Sequence, residues 1–153
     1  MRYHAAALVL LIALSACTAE SGNSIGNDTN SLTGLYEGGQ GARRDQLCLV
    51  GGGGQSRFGF VIWASEGNNS CTGKGRADRQ GERLSLAMQG DESCAIEARI
   101  EGGRVTLPPT LPAGCAYYCG PGVEMTGTRF DKSGDGAEDA RRAVDLVGDP
   151  LCG

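Results

Sequence analysis

At 153 residues the chain is sized for one domain. Its net charge of −4 excludes the basic surface that nucleic acid demands. With 26 glycines and only 5% aromatic residues, it cannot build a large core without covalent help.

The first element is a run of ten apolar residues, Ala5 to Leu14, behind the single cation Arg2. A bilayer-spanning helix needs about 20 residues, so the run fits the apolar region of a secretory signal instead. It ends in Leu14-Ser15-Ala16-Cys17. This ending resembles the lipobox of bacterial lipoproteins: an aliphatic residue, two small ones, then cysteine. The resemblance covers only this segment. It implies that residues 1–16 are removed and that Cys17 carries a diacylglyceryl thioether, with its new amino group open to acylation. Two or three acyl chains anchor a protein stably where one is marginal. The expected location is the bacterial cell envelope, and Thr18, where an Asp would favour the inner membrane, leans towards the outer membrane facing the periplasm. The lipid on Cys17 is then the membrane partner. After the cut, 137 residues remain with 13 Lys and Arg against 18 acids, a net charge of −5.

Residues 17–32 are small and polar and read as a tether for a single domain over 33–153. From there short apolar runs alternate with glycine-rich breaks, a strand pattern. Expected strands are 33–37, 45–50, 58–64, 71–78, 83–88, 94–101, 104–107 and 123–130. The clearest is Cys94 to Glu101, where Cys94, Ile96, Ala98 and Ile100 face one way and Glu97, Arg99 and Glu101 the other. In Cys71 to Asp78 the inward positions are Cys71, Gly73, Gly75 and Ala77, which suits a tightly curved sheet or a large neighbour leaning in. Short connections imply an antiparallel meander. The expected fold is therefore all-β, a small eight-stranded barrel or sandwich stapled by disulfides. The barrel is favoured because closure removes exposed edges. A C-terminal helix is expected over 135–147, with Ala140, Ala143, Val144 and Val147 on its apolar stripe and Gly148 after its end.

Six cysteines remain after Cys17: Cys48, Cys71, Cys94, Cys115, Cys119 and Cys152. An even number in an exported domain reads as three disulfides. Cys71 with Cys94 is the favoured pair, and Cys152 is expected to bond the Cys115–Cys119 region.

Chemistry is hard to find. His4, the one histidine, leaves with the signal, so no Ser-His or Cys-His pair and no histidine metal site forms in the mature chain. The four glycines at 51–54 lack a following helix and a phosphate-loop spacing. Asp131 to Gly136 resembles the first half of an EF-hand loop, but Arg142 stands at the twelfth position where a bidentate Glu is required. No metal and no cofactor are expected. Two carboxylates would suffice for glycoside hydrolysis, and Glu66, Asp91, Glu92, Glu97, Glu101 and Glu124 are present, but they read as solvating charge. No catalytic residue is assigned.

The most singular segment is Pro108 to Pro121, rich in proline and holding Tyr117 and Tyr118 between two cysteines. It is expected to cover one end of the barrel, with one ring packed inward and the other facing out. Tyr117, Tyr118 and the one tryptophan, Trp63, are the candidate partner-binding residues. The expected function is a non-catalytic envelope lipoprotein with a binding or structural role and an envelope protein or glycan partner. One alternative is an inhibitor of a lysozyme-like lytic enzyme. The chain is similar in length, anchor and acidity to small β-barrel lysozyme-inhibitor lipoproteins, without their SGxxxxY and YxxxTKG motifs. The other alternative is a carboxylate-dependent glycan hydrolase.

The lipobox reading has a direct test. Cys17→Ser is expected to release the protein from membranes or leave its signal uncut, as read by fractionation and mass spectrometry. A variant with a cut signal that still partitions wholly into detergent would rule out lipidation.

Overall fold

The computed structural model describes residues 31–40, 43–52, 55–66 and 68–153. The signal, Cys17 and nearly all of the tether lie outside the described residues. Eight strands follow in order: β1 Gly34–Gly38, β2 Asp45–Gly52, β3 Gln55–Trp63, β4 Ser70–Gln80, β5 Arg83–Met88, β6 Ala95–Glu101, β7 Arg104–Thr106 and β8 Arg129–Asp135. Each pairs antiparallel with the next, and β8 returns to β1, so the sheet is a closed barrel. The choice between barrel and sandwich is thus settled. Closure is made over a bulge: Leu35 faces Gly134 and Tyr36 faces Lys132, leaving Ser133 as the extra residue.

Period-two patterning fills the interior. Leu47 and Leu49, Phe58, Phe60 and Ile62, Leu84, Leu86 and Met88, and Ile96, Ala98 and Ile100 all join one buried cluster. The glycine stripe of β4 makes room for it. Gly73 stands opposite Phe60 and Gly75 opposite Phe58. A Cβ at Gly73 would lie 2.8 Å from the Met88 side chain and 3.0 Å from the Phe60 ring. The large neighbour is thus the Phe60 ring with Met88, and at Gly75 a Cβ would strike the backbone of the neighbouring β5.

The barrel has two ends. At one, the Tyr36 hydroxyl donates to the Leu32 carbonyl at 2.8 Å, and burial pushes the phenol up to about 12 against the opposing charge of Arg79. Lys132, bonded to the Ser31 carbonyl and paired with Asp135, covers this end. The other end is covered by residues 107–128, the connection from β7 to β8.

A second, smaller core lies outside the wall. Leu35 and Cys48 point outward from β1 and β2 and bury Ala140, Ala143 and Cys152. A side chain at Gly59 would put its Cβ 2.7 Å from the Leu151 carbonyl oxygen, so the C-terminal segment lies directly on β3.

Four expectations are corrected. The last strand is Arg129–Asp135, not 123–130: Val123 and Met125 are buried, but as part of the end cover. The Asp131 to Gly136 stretch, which its sequence suits to a turn plus helix cap, is instead β8 running into the start of the helix, with Asp131 paired to Arg104. The C-terminal helix, α1, is only Gly136–Ala140. Its apolar stripe ends after Ala143, and the chain doubles back on a turn in which the Asp145 carboxylate accepts from the amides of Val147 and Asp149, both at 2.9 Å. Finally, the disulfides are Cys48–Cys152, Cys71–Cys119 and Cys94–Cys115. Cys71 lies in β4 and Cys94 leads β6, with β5 between them, so the closing segment rather than local bending supplies each partner. Cys152 pins the tail as expected, but to β2.

The Cys48–Cys152 bond spans 104 residues, worth about 4 to 5 kcal/mol in the chain-entropy model. Cys152→Ser is expected to lower global stability on that scale. Hydrogen exchange should show residues 136–153 losing protection while 95–101 stays protected at native conditions. Equal protection of the tail in parent and variant would mean that its small apolar contact suffices to hold it.

Candidate functional site

The covered end of the barrel is built from the sequence upward. Pro108, Pro109 and Pro112 stiffen the approach, and Pro112, extended at ψ 142°, starts a 3-10 helix over Ala113–Tyr118. The Cys115 amide donates to the Pro112 carbonyl at 2.9 Å. The helix stops at Cys119, which returns to extended backbone and bridges Cys71. One disulfide ties the middle of this helix to Cys94, the other ties its end to β4. The Gly120 amide donates to the Ser70 carbonyl at 2.9 Å, and the Asn69 side-chain amide donates to the Pro121 carbonyl at 2.8 Å. Leu107, Cys115, Val123 and Met125 point down and merge with the barrel core. The segment is a cap, as the sequence implies.

The two tyrosines divide as expected. Tyr118 is half-buried, and its hydroxyl donates to Asp91 Oδ2 at 2.9 Å. Tyr117 is 90% exposed, the most exposed of the large apolar side chains described. Asp91 also accepts from the Ser93 hydroxyl at 2.6 Å and the Ser93 amide at 2.8 Å. These Ser93 bonds, with that from Tyr118, hold the Asp91 carboxyl below its ordinary range. The Tyr118 phenol is pushed up, first by desolvation and then by its bond to Asp91.

Beside Tyr117 lies a groove of about 390 Å³. Leu111, Pro112 and Ala116 form its apolar walls over the buried Val123 and Met125, and Glu124 and Thr126 complete the lining. Sequence reasoning missed this groove. Its signal was the alternation of Val123, Glu124, Met125 and Thr126, which reads as a strand and serves instead as one wall of the cap.

Trp63 is placed elsewhere, at the end of β3. Its cleft of about 460 Å³ shares no residue with the cap groove. Its backbone amide donates to Asp45 Oδ1 at 2.8 Å, and burial raises that carboxyl despite the bond. The Arg43 guanidinium lies 4.2 Å from the Trp63 ring centroid, so one face of the indole is already stacked. The Trp63 cleft is thus distinct from the cap groove. Of the acids considered for hydrolysis, Glu97 bonds Arg83 and Ser85 on the outer wall, and Glu101 pairs with Arg99. Among the described residues no group of three metal-ligating side chains gathers. Compared with known proteins, the chain matches no family model, no curated protein and no solved structure.

The Asp91 cluster gives a pH prediction. A depressed carboxyl stabilises the fold above the ordinary carboxylate range, and that contribution is lost as pH falls through its folded midpoint. Carboxyl NMR should place the Asp91 midpoint below that of an ordinary aspartate. In Tyr118→Phe it should rise but stay below ordinary, because the Ser93 bonds remain. An unchanged midpoint would mean that the phenol contributes nothing to this carboxylate.

Proposed function

We propose that the chain is a non-catalytic bacterial envelope lipoprotein that works by binding. The lipid on Cys17 holds it in the membrane, the tether sets its reach, and the cap meets an envelope protein or glycan. One observation carries the reading: Tyr117 stands 90% exposed on a 3-10 helix fastened by two disulfides. A large ring carried on a backbone that is fixed before contact leaves only its own side-chain entropy to be lost on binding. The acidic mature charge fits a partner other than nucleic acid. A second reading, inhibition of a lysozyme-like lytic enzyme, is favoured by the charge of this end. From Leu84 to Ala98 and from Val105 to Thr128 there are acids but no Lys or Arg, the surface that a basic enzyme attracts.

A photo-crosslinking side chain at position 117, in cells, tests the binding reading. The expected result is a discrete adduct absent when the same group is placed at Gln80, at the far end of the barrel. An adduct that collapses on glycan digestion marks a glycan partner; one of fixed mass marks a protein. Stoichiometric loss of lysozyme activity would select the inhibitor reading. Equal adducts from 117 and 80, or none from either, would remove the cap as a binding surface.

A further inference from the structure

We infer that the cap groove receives a lysine or arginine side chain of a basic protein partner. The inference rests on the binding reading and deepens it by naming what the groove takes. A long cationic side chain is amphipathic: its methylene stem seeks apolar surface while its head stays hydrated. The groove offers both halves. Its walls are Leu111, Pro112 and Ala116 over the buried Val123 and Met125, and Glu124 stands exposed among its lining residues. The Glu124 carboxylate accepts only the Thr126 hydroxyl, at 3.4 Å, and among the described residues no Lys or Arg pairs with it. Several acids of the barrel wall, by contrast, are matched from within. Glu97 has Arg83, Asp131 has Arg104, and Glu82 has Arg99. Glu124 is also the one charged residue between Arg104 and Arg129.

Surroundings point the same way. Asp91 and Glu92 precede Ser93, which packs against Gly114 at the start of the 3-10 helix. A cation approaching this end meets attraction from several acids and repulsion from no cap residue. Tyr117 adjoins Ala116 of the groove wall, and its exposed ring can take a second cationic group on its face. The two disulfides fix the walls, so the partner side chain does not have to order them. A neutral apolar side chain would leave Glu124 unused. For a sugar ring the lining supplies only two polar side chains, Glu124 and Thr126.

The test uses the 15N-labelled full chain in a maltoside detergent and two probes, acetyl-Gly-Arg-Gly-amide and the same peptide with norleucine in place of arginine. The arginine peptide is expected to shift the amide signals of residues 111–126. Glu124→Gln, whose spectrum should otherwise match the parent, should weaken that binding about threefold, the scale of one exposed ion pair. The norleucine peptide should bind the parent about threefold more weakly and be indifferent to the substitution, and added salt should weaken only the arginine peptide. Equal binding of the two peptides, or no effect of Glu124→Gln, would overturn the cationic side chain and leave an apolar docking groove. Shifts centred on Glu97 or Asp131 would overturn the location. No shift in residues 111–126 with either peptide would overturn the groove itself, while a crosslink from position 117 could still uphold the broader binding reading.

Discussion

Two phenylalanines lying across two glycines set the dimensions of this barrel. Phe58 and Phe60 face Gly75 and Gly73, and their rings lie nearly parallel with centroids 6.1 Å apart. An eight-stranded barrel has an interior just wide enough to be filled by side chains. A chain with so few aromatics must place each one well. Side chains at Gly73 or Gly75 would meet Met88, Phe60 or the β5 backbone, so the stripe keeps β4 close to its neighbours and yields the interior to β3. With the barrel that narrow, β1 and β8 meet, and no edge is left unpaired.

The same economy explains where the disulfides are. Strand residues fill the barrel, and little apolar surface remains to hold what lies outside it. The tail contributes two alanines and a leucine to its contact with β1, β2 and β3. The cap has more, but it is a segment of prolines and glycines without a sheet of its own. Each of these elements is fastened to the barrel covalently. Cys48–Cys152 holds the tail, and the other two bonds hold the cap at the middle and the end of its 3-10 helix. A covalent tie constrains the unfolded chain without demanding area in the folded one. That suits surfaces that must stay exposed.

The strands were legible because period two is a local signal. Six alternating or apolar runs fall within a residue or two of their strands where loops permit, and Cys94 to Glu101 shows both faces without ambiguity. Signals that depend on distant partners were not legible. Val123 and Met125 alternate like a strand, yet their hydrogen bonds go to neighbouring turns, as with the Val123 amide to the Gly120 carbonyl. Ala140 and Ala143 are buried as a helical stripe demands, but the return of Cys152 to Cys48 requires a turn where the stripe continued to Val147. Cysteine spacing along the chain says nothing about which segment closes the barrel end, so Cys71 and Cys94 read as a pair when each is taken by the cap. The two tyrosines were legible because adjacent side chains must diverge. Glu124 was visible only as one acid among several.

The divergence of those tyrosines is what makes the cap more than a cover. A 3-10 helix turns about a third of a circle per residue, so fixing one side chain aims the next. Tyr118 is fixed: its hydroxyl is bonded to an Asp91 carboxylate that Ser93 already holds in place. Cys119 immediately after it is bonded to β4, and Cys115 three residues before it to Cys94. Between these three anchors the backbone at Tyr117 has no freedom to turn its ring onto the core, although apolar surface lies close by in the groove wall at Ala116. An exposed aromatic side chain in a flexible loop would collapse onto such a surface. Here the covalent and hydrogen-bonded frame prevents that collapse, and so keeps ring and groove open side by side.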